Sequence, residues 1–333
     1  MNGAPRKSNI ELLRIVAMLM VLAIHANFWR IGSPTHTEAV SAAVPTFTRI
    51  WMQSLALPCV DVFVIISGWF AIRPKWKSVL NLYFLLVFWA VCAEAASGEW
   101  RAGAIVFPQL GWFIPAYLAL YLFAPVLNAF AEHAEKSAFL KYLAVFFVLQ
   151  TFFDLVHRVW YIQGHPLFND GYSAVSLMGL YMLGRYLRLH PPRWAERSAA
   201  FFASCYFGIF TASALVVFAA LRFCSNAHWC SIVMVRTLAY TNPLTIAGSV
   251  ALFYAFERMD FTNRLVNRMA ASAFGVFCFH SMWFYAPVVR HIYNDFNGPA
   301  VLLLDGAFIL AVYTVGTAID QVRIFLWRLV AHD

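Results

Sequence analysis

Apolar runs close to the length that crosses a bilayer recur along this chain almost from end to end. No other feature limits the fold as strongly, because backbone groups in hydrocarbon have no water to bond. Only helices and closed barrels satisfy every N–H and C=O there. The runs are continuously apolar and do not alternate, which selects helices and argues against a barrel. Composition agrees: 62% of the 333 residues are hydrophobic and 12% are charged. A soluble domain carries roughly twice that charged share. The expected fold is all-α, a polytopic integral membrane protein with about ten transmembrane helices.

The expected spans lie near 10–29, 51–72, 78–97, 110–130, 138–156, 172–189, 199–222, 240–257, 270–290 and 299–327. Pro58, Pro115, Pro125 and Pro287 fall inside them, where neighbouring helices can satisfy the freed backbone groups. With the N-terminus in the cytoplasm, 16 of the 24 Lys and Arg residues, from Arg6 and Lys7 to Arg328, fall on the inner side. Seven fall outside, and Arg14 lies within a span. Cytoplasmic loops carry the excess of positive charge, so both termini are expected in the cytoplasm, and an odd number of spans would spoil the alternation. The net charge of +8 is spread over these short segments, which speaks against nucleic acid as a partner. The first run holds Arg14 and His25 and lacks a small-residue cleavage site, so it reads as a retained helix. No soluble domain is expected at either end.

Cys224 and Cys230 fall in an expected outer loop, where an oxidising compartment would allow a disulfide. His228 lies between them but matches no strong zinc spacing. Cys59, Cys92, Cys205 and Cys278 read as ordinary buried thiols.

The first span, "ELLRIVAMLMVLAIHANFW" from Glu11 to Trp29, poses the chemical question. Ionisable groups in a span usually face a protein interior or a wet cavity. Eleven steps at ~100° bring Arg14 and His25 to nearly the same helix face, ~16 Å apart along the axis. Arg14 then sits near the cytosol and His25 beyond the midplane. A phosphate-bearing donor entering from the cytosol would meet Arg14 first. A long arm such as the phosphopantetheine of coenzyme A can reach from there to His25. Glu11 is placed to pair with Arg14 on the helix surface. Arg14 alone would read as a snorkelling cation; the shared stripe favours function.

The second span, "LPCVDVFVIISGWFAIRPKWK", places Asp61 at about mid-depth. A carboxylate near an imidazole fixes its tautomer and stabilises the imidazolium, and a purely structural hydrogen bond is the equal alternative. Ser67 and Gly68 would allow close helix approach. Arg73, Lys75 and Lys77 follow at the membrane surface. They can bind phosphate, although for the lysines topology is the preferred explanation.

Four stretches in order, "IELLRIVAMLMVLAIH", "VDVFVIISGWF", "GWFIPAYLALYLFAPVLN" and "SAFGVFCFHSMWF", resemble the acyltransferase-3 family of membrane-bound O-acyltransferases. That family carries a basic residue, ten intervening residues and a histidine on its first helix, a spacing matched by Arg14 and His25. The resemblance covers nearly the whole chain. It implies one transmembrane acyltransferase domain over 1–333, with the family's ten-helix fold. It implies transfer of an acyl group, acetyl as first choice, from cytosolic acyl-CoA to a hydroxyl of an extracytoplasmic glycan or lipid-linked sugar. By the same carry-over His25 is the catalytic residue and Arg14 a CoA contact. Many members have two arginines close together after the Ser-Gly motif; here Arg73 is followed by Pro74, so the CoA contacts differ in detail.

Asp61 joins His25 as a catalytic expectation. Arg73 and Arg185 are further candidates for CoA phosphate. Trp112, Tyr117 and His280 are candidates for substrate contact, since aromatic faces suit sugars. The expected donor is acetyl-CoA or another acyl-CoA. The thioester sulfur leaves readily, so no metal is required. The expected partners are acyl-CoA, the glycan or lipid-linked sugar, and membrane lipids. The expected location is a bacterial inner membrane, crossed many times. His25 would act as general base on the sugar hydroxyl or carry the acyl group transiently. A rival class is a proton-coupled transporter or flippase for a lipid-linked sugar, with Arg14, His25 and Asp61 as a relay. A third is a non-catalytic membrane scaffold.

Overall fold

The computed structural model describes residues 7–108, 111–159, 167–224, 226–296 and 298–331, without the side chains of 157–159. Arg6 and the side chain of Arg158, both counted in the charge balance, lie outside the described residues. The secondary structure described is helical throughout. The first expected span is α1 (Asn9–Ala26), continued by the single turn α2 (Phe28–Ile31). The short α3 (His36–Ser41) leads into α4 (Ala43–Ala56) and α5 (Cys59–Phe70), which together form the second. Then come α6 (Trp76–Ser97), the short α7 (Ala102–Val106), α8 (Phe113–His133) and α9 (Lys136–Val159). The next four are α10 (Ala174–Leu189), α11 (Ala199–Phe223), α12 (Ala227–Thr237) and α13 (Pro243–Glu257). Three short helices, α14 (Arg264–Ala270), α15 (Ala273–His280) and α16 (Tyr285–Asp295), precede the long α17 (Pro299–Ala331).

Among the described residues, 7 helical segments are long and apolar enough to cross a membrane. They coincide with seven of the ten expected spans. The sixth and eighth expected spans are the shorter α10 and α13, of 16 and 15 residues, of which α13 is a short apolar helix. The ninth, 270–290, is not one helix. Turns at 271–272 and 281–284 divide it from α14 and into α15 and α16. The chain is a polytopic membrane protein, and its long helices turn apolar side chains outward. Leu122, Val148 and Leu303 are 73%, 67% and 74% exposed, which suits lipid and would be costly in water.

The prolines show why the helices start where they do. Pro58 is the N-cap of α5 and ends the run of α4 two residues earlier. Pro115 and Pro287 lie in the first turns of α8 and α16, where an N–H has no intrahelical partner to lose. Pro125 alone among these four sits inside a helix. Polar caps mark other starts. The Asn242 side chain accepts from the Leu244 N–H with Pro243 at the first helical position, and Ser173 accepts from the Ser176 N–H. Each such cap satisfies a backbone donor that the helix leaves open.

The helices gather into two compact units, each built from separated stretches. The first comprises Met1–Gly32, Pro74–Gly111 and Thr262–Asp333, and the second Ser33–Arg73 and Trp112–Phe261.

In the first unit α1 packs on α14, α15 and α17, α15 also packs on α17 and α6, and α2 lies against α16. Polar bonds pin α1 at both ends. At its foot the Ser8 hydroxyl donates to Asn267 Oδ1 at 2.7 Å and accepts from the Asn263 N–H at 2.7 Å. At its far end the buried Tyr285 hydroxyl donates to the Leu22 carbonyl at 2.7 Å. Gly275 lets α15 approach α17: a Cβ there would stand 2.3 Å from the Asp320 carboxylate. Asp320 and Arg323, both buried, form a bidentate pair at 2.6 and 3.0 Å. Arg323 also donates to Asn81 Oδ1 on α6 at 3.1 Å. A buried ion pair persists where its geometry is this complete, and it locks α17 to α6 beside α15.

In the second unit α10 runs along α5, and α11 packs on α13 and α4. Gly68 and Gly184 set the α5–α10 contact. A Cβ on Gly68 would fall 2.1 Å from the Tyr181 carbonyl oxygen, and one on Gly184 would fall 2.4 Å from that of Ile65. These are backbone atoms, so a side chain cannot be absorbed by rotamer change, and the small residues permit close packing in lipid. Gly68→Ala should therefore destabilise the purified protein by about 1–3 kcal/mol, the usual cost of overpacking. Gly208→Ala, with nothing within 4 Å of the added methyl, should not lower stability. Thermal unfolding in detergent compares the two, and equal midpoints would remove the close-contact argument.

Candidate active site

The site in the first unit is made by two helix ends. α1 stops just beyond His25, because Asn27 leaves helical geometry at φ −89°, ψ −108° while its N–H bonds the Ala23 carbonyl. α15 stops at His280. The two imidazoles meet there. His25 Nδ1 lies 2.5 Å from His280 Nε2, with the ring centroids 4.8 Å apart and the ring planes inclined by 20°. His280 is 1% exposed, whereas His25 is only partly covered. His280 Nδ1 lies 2.5 Å from the Phe277 carbonyl oxygen, and its ring meets the edge of Tyr285 at 5.5 Å. Arg30, one turn beyond His25, is the charged group acting on both rings. Each histidine lies in the last turn of its helix, where the carbonyl end of the helix dipole favours a transient positive charge.

Arg14 sits on the same helix eleven residues before His25. Its Nη1 donates to Glu11 Oε1 at 3.0 Å, with the arginine side chain 31% exposed and the glutamate 6%. The expected Glu11–Arg14 pair therefore forms, with the carboxylate inward and the guanidinium reaching outward.

The other expected residues lie in the second unit. Asp61 is completely buried in the first turn of α5 and accepts from the Ser249 hydroxyl at 3.2 Å. Its Oδ1 has no protein partner among the described residues. Ser67 and Tyr117 join hydroxyls at 3.1 Å. The Tyr181 hydroxyl donates to Asn128 Oδ1 at 2.7 Å and accepts from the Ile72 N–H at 3.0 Å. Asn128 in turn donates to the Ile72 carbonyl at 2.9 Å. This pins the backbone where α5 ends, and Arg73 follows it exposed. Arg185 differs from Arg73: it is 5% exposed, with one nitrogen 3.2 Å from Glu132 and its Nε without a protein partner among the described residues. Trp112 caps α8 and meets Tyr172 at 4.7 Å and Tyr240 at 6.5 Å between ring centroids.

His280, a candidate for substrate contact, places its ring against His25. Ser249, Tyr172 and Tyr240 carry no sequence signal for the site, yet Ser249 bonds Asp61 and the two tyrosines join Trp112. "FGVFCFH" marked its histidine, but nothing local says which helix that side chain meets. Cys224 and Cys230 are free thiols. Cys230 donates to the Cys224 carbonyl at 3.1 Å. Burial, and then the neighbouring Cys224, push the Cys230 thiol above its ordinary range.

The fold defines a many-helix membrane protein, with a histidine pair at the end of its first helix and an arginine on that same helix. The family model of the acyltransferase-3 acyltransferase domain matches residues 7–319. The chain belongs to that family and is a membrane acyltransferase. The match spans stretches of both units, and it sides with the transferase expectation over the transporter and scaffold ones. No curated protein and no solved structure matches the chain.

Proposed function

We propose that the protein is an O-acyltransferase of a bacterial inner membrane, using cytosolic acetyl-CoA or another acyl-CoA. The acceptor is a hydroxyl of an extracytoplasmic glycan or lipid-linked sugar. The observation that carries this reading is the half-covered His25 imidazole, backed by His280, on the same helix as Arg14. His25 is the general base: it takes the acceptor O–H proton while the oxygen attacks the thioester carbon. A C–O bond forms, the C–S bond breaks, and the proton passes from the imidazole to the departing thiolate. Arg14 holds a phosphate of the donor, and Arg73 and Arg185, in the second unit, keep their reading as candidates for phosphate. Arg185 is buried, and its Nε has no protein partner among the described residues, which suits an anion. Trp112 and Tyr117 receive the sugar. One domain over 1–333 carries the reaction, with both termini in the cytoplasm.

Asp61, in the second unit, keeps its reading as a catalytic candidate. Asp61→Asn should then lower turnover more than it weakens donor binding. Weaker acyl-CoA binding with intact turnover would reassign it to the donor. The function itself is tested with purified protein, [¹⁴C]acetyl-CoA and lipid-linked sugar, following free CoA and label in the lipid fraction. Label in the sugar is the expected result. Transport of the sugar across a vesicle without acyl transfer would overturn it.

A further inference from the structure

We infer that His280 is a positioning residue that holds His25 in the tautomer whose Nε2 is bare. The inference rests on His25 being the base. The Phe277 carbonyl oxygen can only accept a hydrogen bond, and it lies 2.5 Å from His280 Nδ1. That nitrogen must therefore carry a hydrogen, since two lone pairs would repel at this distance. A neutral His280 then has a lone pair on Nε2. Among the described residues, the groups around this ring are His25, the Phe277 carbonyl and ring, the Val276 backbone, the Tyr285 ring and Arg30. None of them is a carboxylate that would offset a charge on a ring 1% exposed, so the neutral form is the one held. Nε2 of His280 accepts from His25 Nδ1 at 2.5 Å. With its hydrogen on Nδ1, neutral His25 has a lone pair on Nε2. No protein group occupies that nitrogen among the described residues, and the ring is only partly covered.

The order of groups is base, orienting acceptor, backbone anchor. It meets the same need that a carboxylate meets in a serine-protease triad, where the third group sets the tautomer and orientation of the base. Here the orienting group is a second imidazole fixed by its own helix. A neutral partner suits a site in hydrocarbon, because it adds no charge to bury. When His25 Nε2 takes the acceptor proton, the Nδ1–H···Nε2 bond gains charge assistance and strengthens. The proton then leaves from Nε2 to the thiolate, and the pair returns to its starting state. Tyr285 holds the Leu22 carbonyl and packs its ring edge on His280, so one residue bears on both members of the pair.

The tautomer can be read directly. Protein labelled with ring-¹⁵N histidine, studied by solid-state NMR in lipid at a pH where the rings are neutral, gives separate signals for bare and protonated nitrogens. Loss of signal in His25→Ala assigns His25 among the 10 histidines. The expected wild-type result is a protonated Nδ1 and a bare Nε2 on His25. A protonated Nε2 there would overturn the inference, whatever the activity. In kinetics, His280→Phe keeps a ring and removes the acceptor. It should lower turnover by about 10²-fold with the half-saturating acyl-CoA concentration unchanged. His280→Gln, whose amide oxygen can accept from Nδ1, should restore most of the loss. Wild-type turnover in His280→Phe, or equal losses in Phe and Gln, would also overturn it. An active His25→Ala enzyme would instead sink the base assignment, while the NMR result would still decide the tautomer.

Discussion

Replacing His25 with alanine should cut turnover by ~10²–10⁴-fold, the usual contribution of a positioned general base. Binding of acyl-CoA should survive, because the residue acts on the acceptor proton and not on the donor phosphates. The structure supports a clean substitution. His25 ends α1, and that helix is pinned independently by Ser8 at its foot and by Tyr285 on the Leu22 carbonyl. The loss of one imidazole leaves both clamps in place. His280 keeps its bond to the Phe277 carbonyl, so the buried ring retains one partner. Calorimetry of acyl-CoA on purified His25→Ala, beside a CoA-release assay, separates the two effects. An active variant would end the mechanism, and lost donor binding would move His25 to the donor site.

The second large effect is expected at Arg14. A charge-assisted bond from a guanidinium to phosphate contributes about 1.5–3 kcal/mol, which corresponds to roughly ten- to hundred-fold in affinity. Arg14→Ala should raise the half-saturating acyl-CoA concentration by about that factor, and Arg14→Lys should recover part of it. One local consequence needs a control. Glu11 is 6% exposed and accepts from Arg14, so removing the arginine strips a largely covered carboxylate of that partner, at a cost of its own. Measuring Arg14→Ala again in a Glu11→Gln background removes the carboxylate charge. If the affinity loss persists there, the arginine binds the donor. If it vanishes, Arg14 serves only to hold Glu11, and the path from Arg14 to His25 falls.

Seven expected spans appear as long apolar helices, because length and continuous hydrophobicity are properties of a local stretch. The ninth departs from the expected pattern: turns at 271–272 and 281–284 leave helices of 7, 8 and 11 residues. The second remains one membrane-crossing stretch, with Pro58 marking the junction of α4 and α5. The interruptions of the ninth come at Ala271–Ser272 and around Ser281, residues with no strong breaking signal of their own.

By itself the sequence determined the helical, membrane-crossing class and the common stripe of Arg14 and His25. Both follow from one helix obeying one period, with each backbone bond closing four residues away. Ser67–Gly68 was readable for the same reason: a missing side chain is a local fact, and α10 comes close there. Only the tertiary structure decided what meets His25. His280 lies 255 residues later, and it arrives because Gly275 lets α15 sink against α17 beside the Asp320–Arg323–Asn81 lock. Ser249 reaches Asp61 in the same manner, across 188 residues. Such pairings depend on how whole helix faces pack, and helix periodicity carries no record of which faces will meet.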